Sequence, residues 1–185
     1  MKKYFHLYRP FLLFLTTFFG IYLVATFFYQ SYLNSFIGQT YKIDGFTTLV
    51  AQQSHFILTF FDKNAQTMVS KNDVSMLLFY KNTNVSKVVE GCNAMSIIIL
   101  FVSFIIAFAG KLKSTVLFAF FGIIVIHVVN VLRIAVLSVM FYEFPRYKSI
   151  LHGIVFPFII YGIVFILWII WTNKFSNYAS KAIAK

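Results

Sequence analysis

The sequence predicts an all-α integral membrane protein: a bundle of about four transmembrane helices with both termini cytoplasmic, an outer amphipathic helix and a possible small hairpin. Three observations carry this. Of the 185 residues, 60% are hydrophobic and only 11% charged, against about 25% charged in a typical soluble domain. Four apolar stretches approach or exceed the roughly 17–25 helical residues needed to cross a hydrocarbon core of about 30 Å. The charges also segregate: all five acids fall in two of the segments between or beside these stretches, and the others carry only Lys and Arg.

The first span covers about 11–29, after "MKKYFHLYR". That start resembles the basic end of a signal peptide. The apolar run exceeds an h-region, however, and the bulky "TFFYQSYLN" that follows offers no small-residue cleavage site, so a retained anchor helix is expected. Residues 30–91 form a long outer segment. Within it Phe46, Leu49, Val50, Ile57, Phe60 and Phe61 recur at helical spacing, with Gln52, Ser54, His55 and Thr59 on the other side, as in a helix that lies in the interface or caps the bundle. Next, "VSMLLFY" and "VSKVVE" flank the turn-rich "KNTN" and suggest a hairpin. The second span, 94–109, is short unless Cys92 and Asn93 belong to its first turn. The third, 115–140, follows the tight "GKLKS" turn, and the outer loop "YEFPRYKSI" leads to the fourth, 153–171. Trp168 and Trp171 fall where an inner aromatic belt is expected. Without repeats or linkers, residues 1–185 read as a single membrane domain.

Orientation follows from the basic residues, which concentrate in short cytoplasmic segments. Lys2, Lys3 and Arg9 precede the first span, Lys111 and Lys113 separate the second and third, and Lys174, Lys181 and Lys185 follow the fourth, with no acid among them. Asp44, Asp62, Asp73, Glu90 and Glu143 lie on the other side. The net charge of +11 is then a topology signal, completed by attraction to anionic headgroups of the lipid bilayer. It does not call for nucleic acid.

This orientation places three side chains in one outer layer. Cys92, the only cysteine, begins the second helix. Arg133 lies eighteen residues after the start of the third span, roughly 27 Å along it at 1.5 Å per residue. His152 opens the fourth. Each has an ordinary reading: a buried thiol acting as a small hydrophobe, an arginine snorkelling to headgroups, an interfacial imidazole. Together they permit acyl transfer. A thiol near a cation and a helix N-terminus is the form in which cysteine becomes a nucleophile. His152 can move its proton, and Arg133 can hold an oxyanion or a substrate carboxylate. Pro157, lacking an N–H, loosens the turn beside His152.

Other polar residues compete or assist. His127, Asn130 and Arg133 recur every three residues on one side of the third helix. His127, about 9 Å below Arg133, is a rival base or a support that hydrogen-bonds Asn130. Asn130 bonds across helices or orients Arg133. Glu90 orients Arg133 or His152, or merely punctuates the hairpin. His55 is expected to be solvated. No metal-ligand spacing, phosphate loop or cofactor motif is present.

The pieces "EGCNA" (Glu90 to Ala94), "NVLRI" (Asn130 to Ile134) and His152 in "LHGIVF" resemble, in that order, the exosortase/archaeosortase family of integral-membrane cysteine transpeptidases. The resemblance covers about residues 85–171. It implies that Cys92, Arg133 and His152 occupy the positions of the proposed catalytic triad, without a cofactor. It also implies as partners exported proteins carrying a C-terminal sorting motif, a transmembrane helix and a basic tail. Cleavage on the periplasmic face of a bacterial inner membrane would leave a thioester, resolved by an acceptor amine or water. Two departures stand out. Asn93 and Ala94 follow the cysteine where many members have Ser-Gly, and four spans are fewer than in larger members, as in the compact branch of Bacteroidetes-type bacteria. Ser96, Ser103, Ala107 and Gly110 form a small-residue face on the second helix, either a cleft for a substrate helix or a packing face. The alternative reading is a non-enzymatic transporter or assembly subunit in which Arg133, Asn130 and His127 handle an anion or protons.

Overall fold

The computed structural model describes residues 2–36, 43–108 and 110–176, with side chains from Tyr8 onward. Lys181 and Lys185 lie outside the described residues, as do the side chains of Lys2 and Lys3. The chain is mostly helical, but a three-stranded antiparallel sheet makes it more than an all-α bundle.

Helix α1 spans Lys2–Asn34, further than the predicted 11–29, and packs along α3 (Met95–Ala107). Phe14 meets Phe104 and Phe108 edge-on there, with ring centroids 5.8 and 4.6 Å apart. Helix α4 runs Leu112–Glu143. After it, a 3-10 turn (Pro145–Tyr147), the single turn α5 (Lys148–Ile150), a π turn (Leu151–Val155), α6 (Phe156–Ile170) and a second π turn (Trp171–Phe175) follow without a break. The expected loop at 142–150 is therefore mostly helical. Three helical stretches, Tyr8–Asn34, Leu112–Glu143 and Pro145–Phe175, are long and apolar enough to cross a membrane. The predicted second span, 94–109, is only the 13 residues of α3, about 20 Å long, because the chain leaves the helical conformation at both ends, at Ala94 and at Phe108.

Between lipid-embedded helices there is no hydrophobic driving force, so van der Waals fit decides which faces meet. The bundle interior is filled by Ile98, Phe101 and Ile105 of α3, Phe118 and Ile126 of α4, and Ile160, Val164 and Leu167 of α6. Trp171 is fully buried there and its indole N–H donates to the Phe108 carbonyl at 3.0 Å, while Trp168 stacks on Phe104 with centroids 4.3 Å apart. Both tryptophans thus pack against the bundle, Trp171 by full burial and Trp168 by stacking. Gly122 lets α4 approach α3: a Cβ there would lie 2.2 Å from the Phe101 ring.

A polar cap covers one end of the bundle. Helix α2 (Gly45–Leu58) starts at Asp44, whose carboxylate accepts the Thr47 N–H at 2.9 Å. It buries Thr47, Val50, Ala51, Ser54 and Leu58 against α4 and the sheet and leaves Leu49, Phe56, Phe60 and Phe61 exposed. The face expected from the apolar spacing is therefore rotated. Ala51 and Ser54 are small enough for close helix approach, and the Ser54 hydroxyl satisfies itself on the Val50 carbonyl at 2.8 Å, so bulky phenylalanines are displaced outward. His55, expected to be solvated, is half-buried and donates from Nε2 to the Ala65 carbonyl at 3.0 Å.

The sheet follows as β1 (Gln66–Val69), β2 (Met76–Tyr80) and β3 (Thr83–Val88), in the order β1-β2-β3. Lys81 and Asn82 form the β2–β3 turn with φ of 50° and 61°, the positive values that a two-residue hairpin turn of matching twist requires. The sheet sits on the last turns of α4: Val85 and Val88 pack with Val131, Ile134 and Ala135, and the Ser86 and Ser138 hydroxyls are 2.6 Å apart. At the hairpin tip Lys81 pairs with Glu143 at 3.0 Å and stands over the rings of Tyr80 and Tyr142. Lys87 donates to Asp73 at 2.6 Å, and this bond, with others from Ser70 and Ser75, holds the Asp73 carboxyl well below the usual carboxylate range.

Gly122→Ala is expected to destabilise the protein by about 1–3 kcal/mol, since the methyl group overpacks a filled core. Thermal unfolding in detergent checks this, and an unchanged midpoint would contradict the close α3–α4 contact.

Candidate active site

Strand β3 leads into a 3-10 turn, Glu90–Cys92, in which the Cys92 N–H donates to the Val89 carbonyl at 2.8 Å and the Asn93 N–H to that of Glu90 at 3.2 Å. Ala94 then adopts a left-handed conformation, φ 62°, and α3 begins at Met95. Cys92 thus precedes α3 and is not in its first turn. Asn93, 1% exposed, locks the junction. Its Nδ2 donates to the Tyr29 hydroxyl of α1 at 2.9 Å and the Thr47 hydroxyl of α2 at 3.0 Å, and its Oδ1 accepts the Met95 N–H at 2.9 Å.

Asn130, fully buried on α4, donates from Nδ2 to the Cys92 carbonyl at 2.8 Å. One turn on, Arg133 Nη1 donates to Asn130 Oδ1 at 3.5 Å. Asn130 therefore both bonds across elements and orients the arginine. Arg133 is half-buried, and its Nε is shut off from solvent without an acceptor among the described residues. It lies about 32 Å from the start of α4, and the helix continues about 15 Å beyond it to Glu143. An arginine placed this way faces the junction between bundle and cap. His152 sits exposed in the π turn, where the Phe156 N–H donates to the Leu151 carbonyl. Pro157, one residue further, has no N–H to close an α-helical bond to Gly153.

Cys92, Arg133 and His152 line one cavity of about 350 Å³. Its lining also takes in Ile134, Leu137 and Phe141 of α4, which are apolar, and residues 84–87 of β3. Lys148 completes the lining, its Nζ 4.9 Å from the centroid of the Phe141 ring. Among the described residues three cations, Arg133, Lys87 and Lys148, border the space and no carboxylate does. Lys87 is neutralised by Asp73. The positive charge left on Arg133 and Lys148 suits an anionic group bound in a site partly walled by apolar side chains, where screening is weaker than in water.

The other candidates fall elsewhere. Glu90 is exposed, makes no ion pair with Arg133 or His152 among the described residues, and opens the 3-10 turn. Partial burial, and then the charge of Asp44, push its carboxyl up. His127 hydrogen-bonds through Nε2 to Gln53 Oε1 at 2.7 Å and lies against Phe46. It does not bond Asn130, so the stripe on α4 divides between two environments. The small-residue face of α3 is not one surface either: Ser103 is buried and bonded to the Ile99 carbonyl at 2.7 Å, Ser96 is exposed, and Gly110 lies under Trp171. Sequence reasoning missed Lys148, although it stands four residues before His152 at helical spacing. It also missed residues 84–87, which only the hairpin register could locate.

A multi-pass helical membrane protein whose cap closes over a thiol, a guanidinium and an imidazole is a class narrow enough to compare with known families. The family model of the transmembrane exosortases matches residues 7–172, and the chain belongs to that family. The match takes in α1 and the cap as well as the three motif segments. No curated protein and no solved structure matches the chain.

Ala94 occupies a conformation that favours glycine, which costs an alanine about 1 kcal/mol. Ala94→Gly is therefore expected to be neutral or up to about 1 kcal/mol stabilising, after loss of one buried methyl, while Ala94→Val destabilises by about 2 kcal/mol or more. Comparing the two unfolding midpoints checks the left-handed junction beside Cys92.

Proposed function

We propose that the protein is a membrane-embedded cysteine transpeptidase or peptidase that removes the C-terminal sorting signal of exported proteins. Its capped end faces outward, away from the cytoplasm, in a bacterial inner membrane. The observation that carries this reading is that Cys92, Arg133 and His152, from three separate parts of a transmembrane exosortase chain, border one cavity.

The chemistry balances as follows. His152 takes the thiol proton as Cys92 Sγ attacks the scissile carbonyl carbon, and the carbonyl electron pair moves to oxygen, where the Arg133 guanidinium meets the negative charge. The pair returns, the C–N bond breaks, and the proton on His152 passes to the leaving amine. A thioester remains on Cys92. An acceptor amine or water then attacks it, with His152 taking the nucleophile's proton and giving it to the departing sulfur. Asn130 acts as a positioning residue, since it holds both the Cys92 carbonyl and Arg133. In the transporter reading Arg133, Asn130 and His127 together handle an anion or protons; His127 is bonded to Gln53, while Asn130 holds the Cys92 carbonyl.

The test is co-expression with an exported protein that has a C-terminal motif, a transmembrane helix and a basic tail. The mass of that protein is then followed. Loss of the tail with intact Cys92, its retention with Cys92→Ala, and a hydroxylamine-sensitive adduct are expected. Processing that survives Cys92→Ala would end the acyl-enzyme reading. Arg133→Lys keeps the charge but loses the planar fork, and is expected to lower turnover by roughly 10²–10³-fold, the scale of one lost oxyanion donor, as followed by the rate of tail release in membranes.

A further inference from the structure

Among the described residues, strand β3 has one edge without a paired strand. In the order β1-β2-β3 only β2 pairs with it. Beyond that ladder, no main-chain hydrogen bond from another described part of the chain reaches residues 84–88. An open edge is a template for another strand, and proteins usually cover or disrupt it. Here β3 carries a bulge at Val85, where pairing passes from Leu78–Ser86 to Phe79–Asn84, and one lysine, Lys87, yet its edge borders the site and no described strand pairs with it.

The cavity meets that edge and not one face of the sheet. Successive side chains of a strand point to opposite faces. Ser86 turns toward α4, where its hydroxyl meets Ser138. Lys87 turns the other way, to Asp73. Yet both line the cavity, together with their neighbours Asn84 and Val85. A space bordered by residues of both faces lies along the edge between them. The direction also fits: β3 ends at Val88, and the next turn carries Cys92. A chain laid along β3 therefore has its backbone led to the thiol. A helix, with a diameter of about 10–12 Å, suits neither a strand edge nor a cavity of about 350 Å³.

We infer that the substrate segment next to the scissile bond binds in extended form as a fourth strand on the free edge of β3, which delivers its carbonyl to Cys92. This rests on the acyl-transfer reading above. Main-chain bonds to β3 supply affinity that does not depend on side chains, and alternate side chains of the segment face the apolar wall of Leu137 and Phe141 or the opposite side. Recognition by backbone leaves selectivity to every second residue of the segment.

The test separates this inference from the proposed reaction. The probe is an exported protein whose tail the intact chain removes. In a Cys92→Ser background, an Asn84→Cys variant is expressed with that probe, itself carrying single cysteines scanned through the segment before its transmembrane helix. A Met68→Cys variant, on the opposite edge of the sheet, is the control. After mild oxidation, disulfide yield from position 84 should rise and fall with a period of two along the probe, several-fold between neighbours, and stay at background from position 68. Equal yields along the segment, a period near 3.6, or capture only from position 68 would overturn the added strand while leaving the reaction standing. Disulfides between two copies through position 84 would assign the edge to self-association and overturn it as well. If the intact chain cuts no such probe, the reaction and this inference fail together.

Discussion

The hydrogen bond from Asn130 to the Cys92 carbonyl, 2.8 Å long and donated by a fully buried side chain, is the constraint on which the site depends. In a low-dielectric interior a polar group left without a partner costs about 1–3 kcal/mol, so the amide of Asn130 has few alternatives once α4 is buried. It spends its donor on the turn that carries the thiol and its acceptor on Arg133. One side chain thereby sets where the loop before α3 lies relative to α4, and where the guanidinium points. Asn93 does the corresponding work on the other side of Cys92, tying that loop to α1 and α2 through Tyr29 and Thr47. The thiol is held between two buried amides although it is itself only half-buried.

The cap has its own core, distinct from that of the bundle. Val50, Ala51 and Leu58 of α2, Met76, Leu78 and Val85 of the sheet, and Val131, Ile134 and Ala135 of α4 pack into one cluster, while the bundle cluster lies on α3, the earlier turns of α4, and α6. Helix α4 belongs to both, because its 32 residues extend some 48 Å, well past a hydrocarbon core of about 30 Å. Water-exposed packing in the cap draws on the hydrophobic effect, whereas the bundle relies on fit. Arg133 sits where the two regimes meet. That placement gives it a dry environment on one side and a cavity on the other, which suits a charge that must be both preorganised and reachable.

The ends of the elements around the cavity are irregular for identifiable reasons. The left-handed Ala94 turns the chain into α3, the π turn at Leu151–Val155 precedes a proline, and the β2–β3 ladder shifts register between Leu78 and Phe79. Each departs from regular hydrogen bonding within reach of the same space. Such departures persist when surrounding packing over-determines them, and they collect at functional sites. Under the proposed reaction, they are what brings a loop, a helix and a strand edge to one scissile bond.

The sequence by itself determined the solvent and the broad layout. Apolar length and low charge place the helices in lipid, and the hairpin, helix α2 and the short segments around Cys92, Arg133 and His152 that resemble the family were legible because each depends on local spacing. The family was legible for the same reason. Tertiary structure alone decided the rest. The face α2 buries follows from how closely Ala51 and Ser54 let it approach α4, which helical periodicity does not reveal. The start of α3 is set by one left-handed residue, Ala94. β1 is a strand of four mostly exposed residues that is held by its ladder to β2. His127 and Asn130 share a stripe in sequence but not a partner, since Gln53 and the Cys92 carbonyl come from different elements. Lys148 and the β3 edge join the cavity through contacts between residues far apart in the chain. Spacing along a helix or strand is a local property and can be read from residues, whereas the partner across the gap is set by packing.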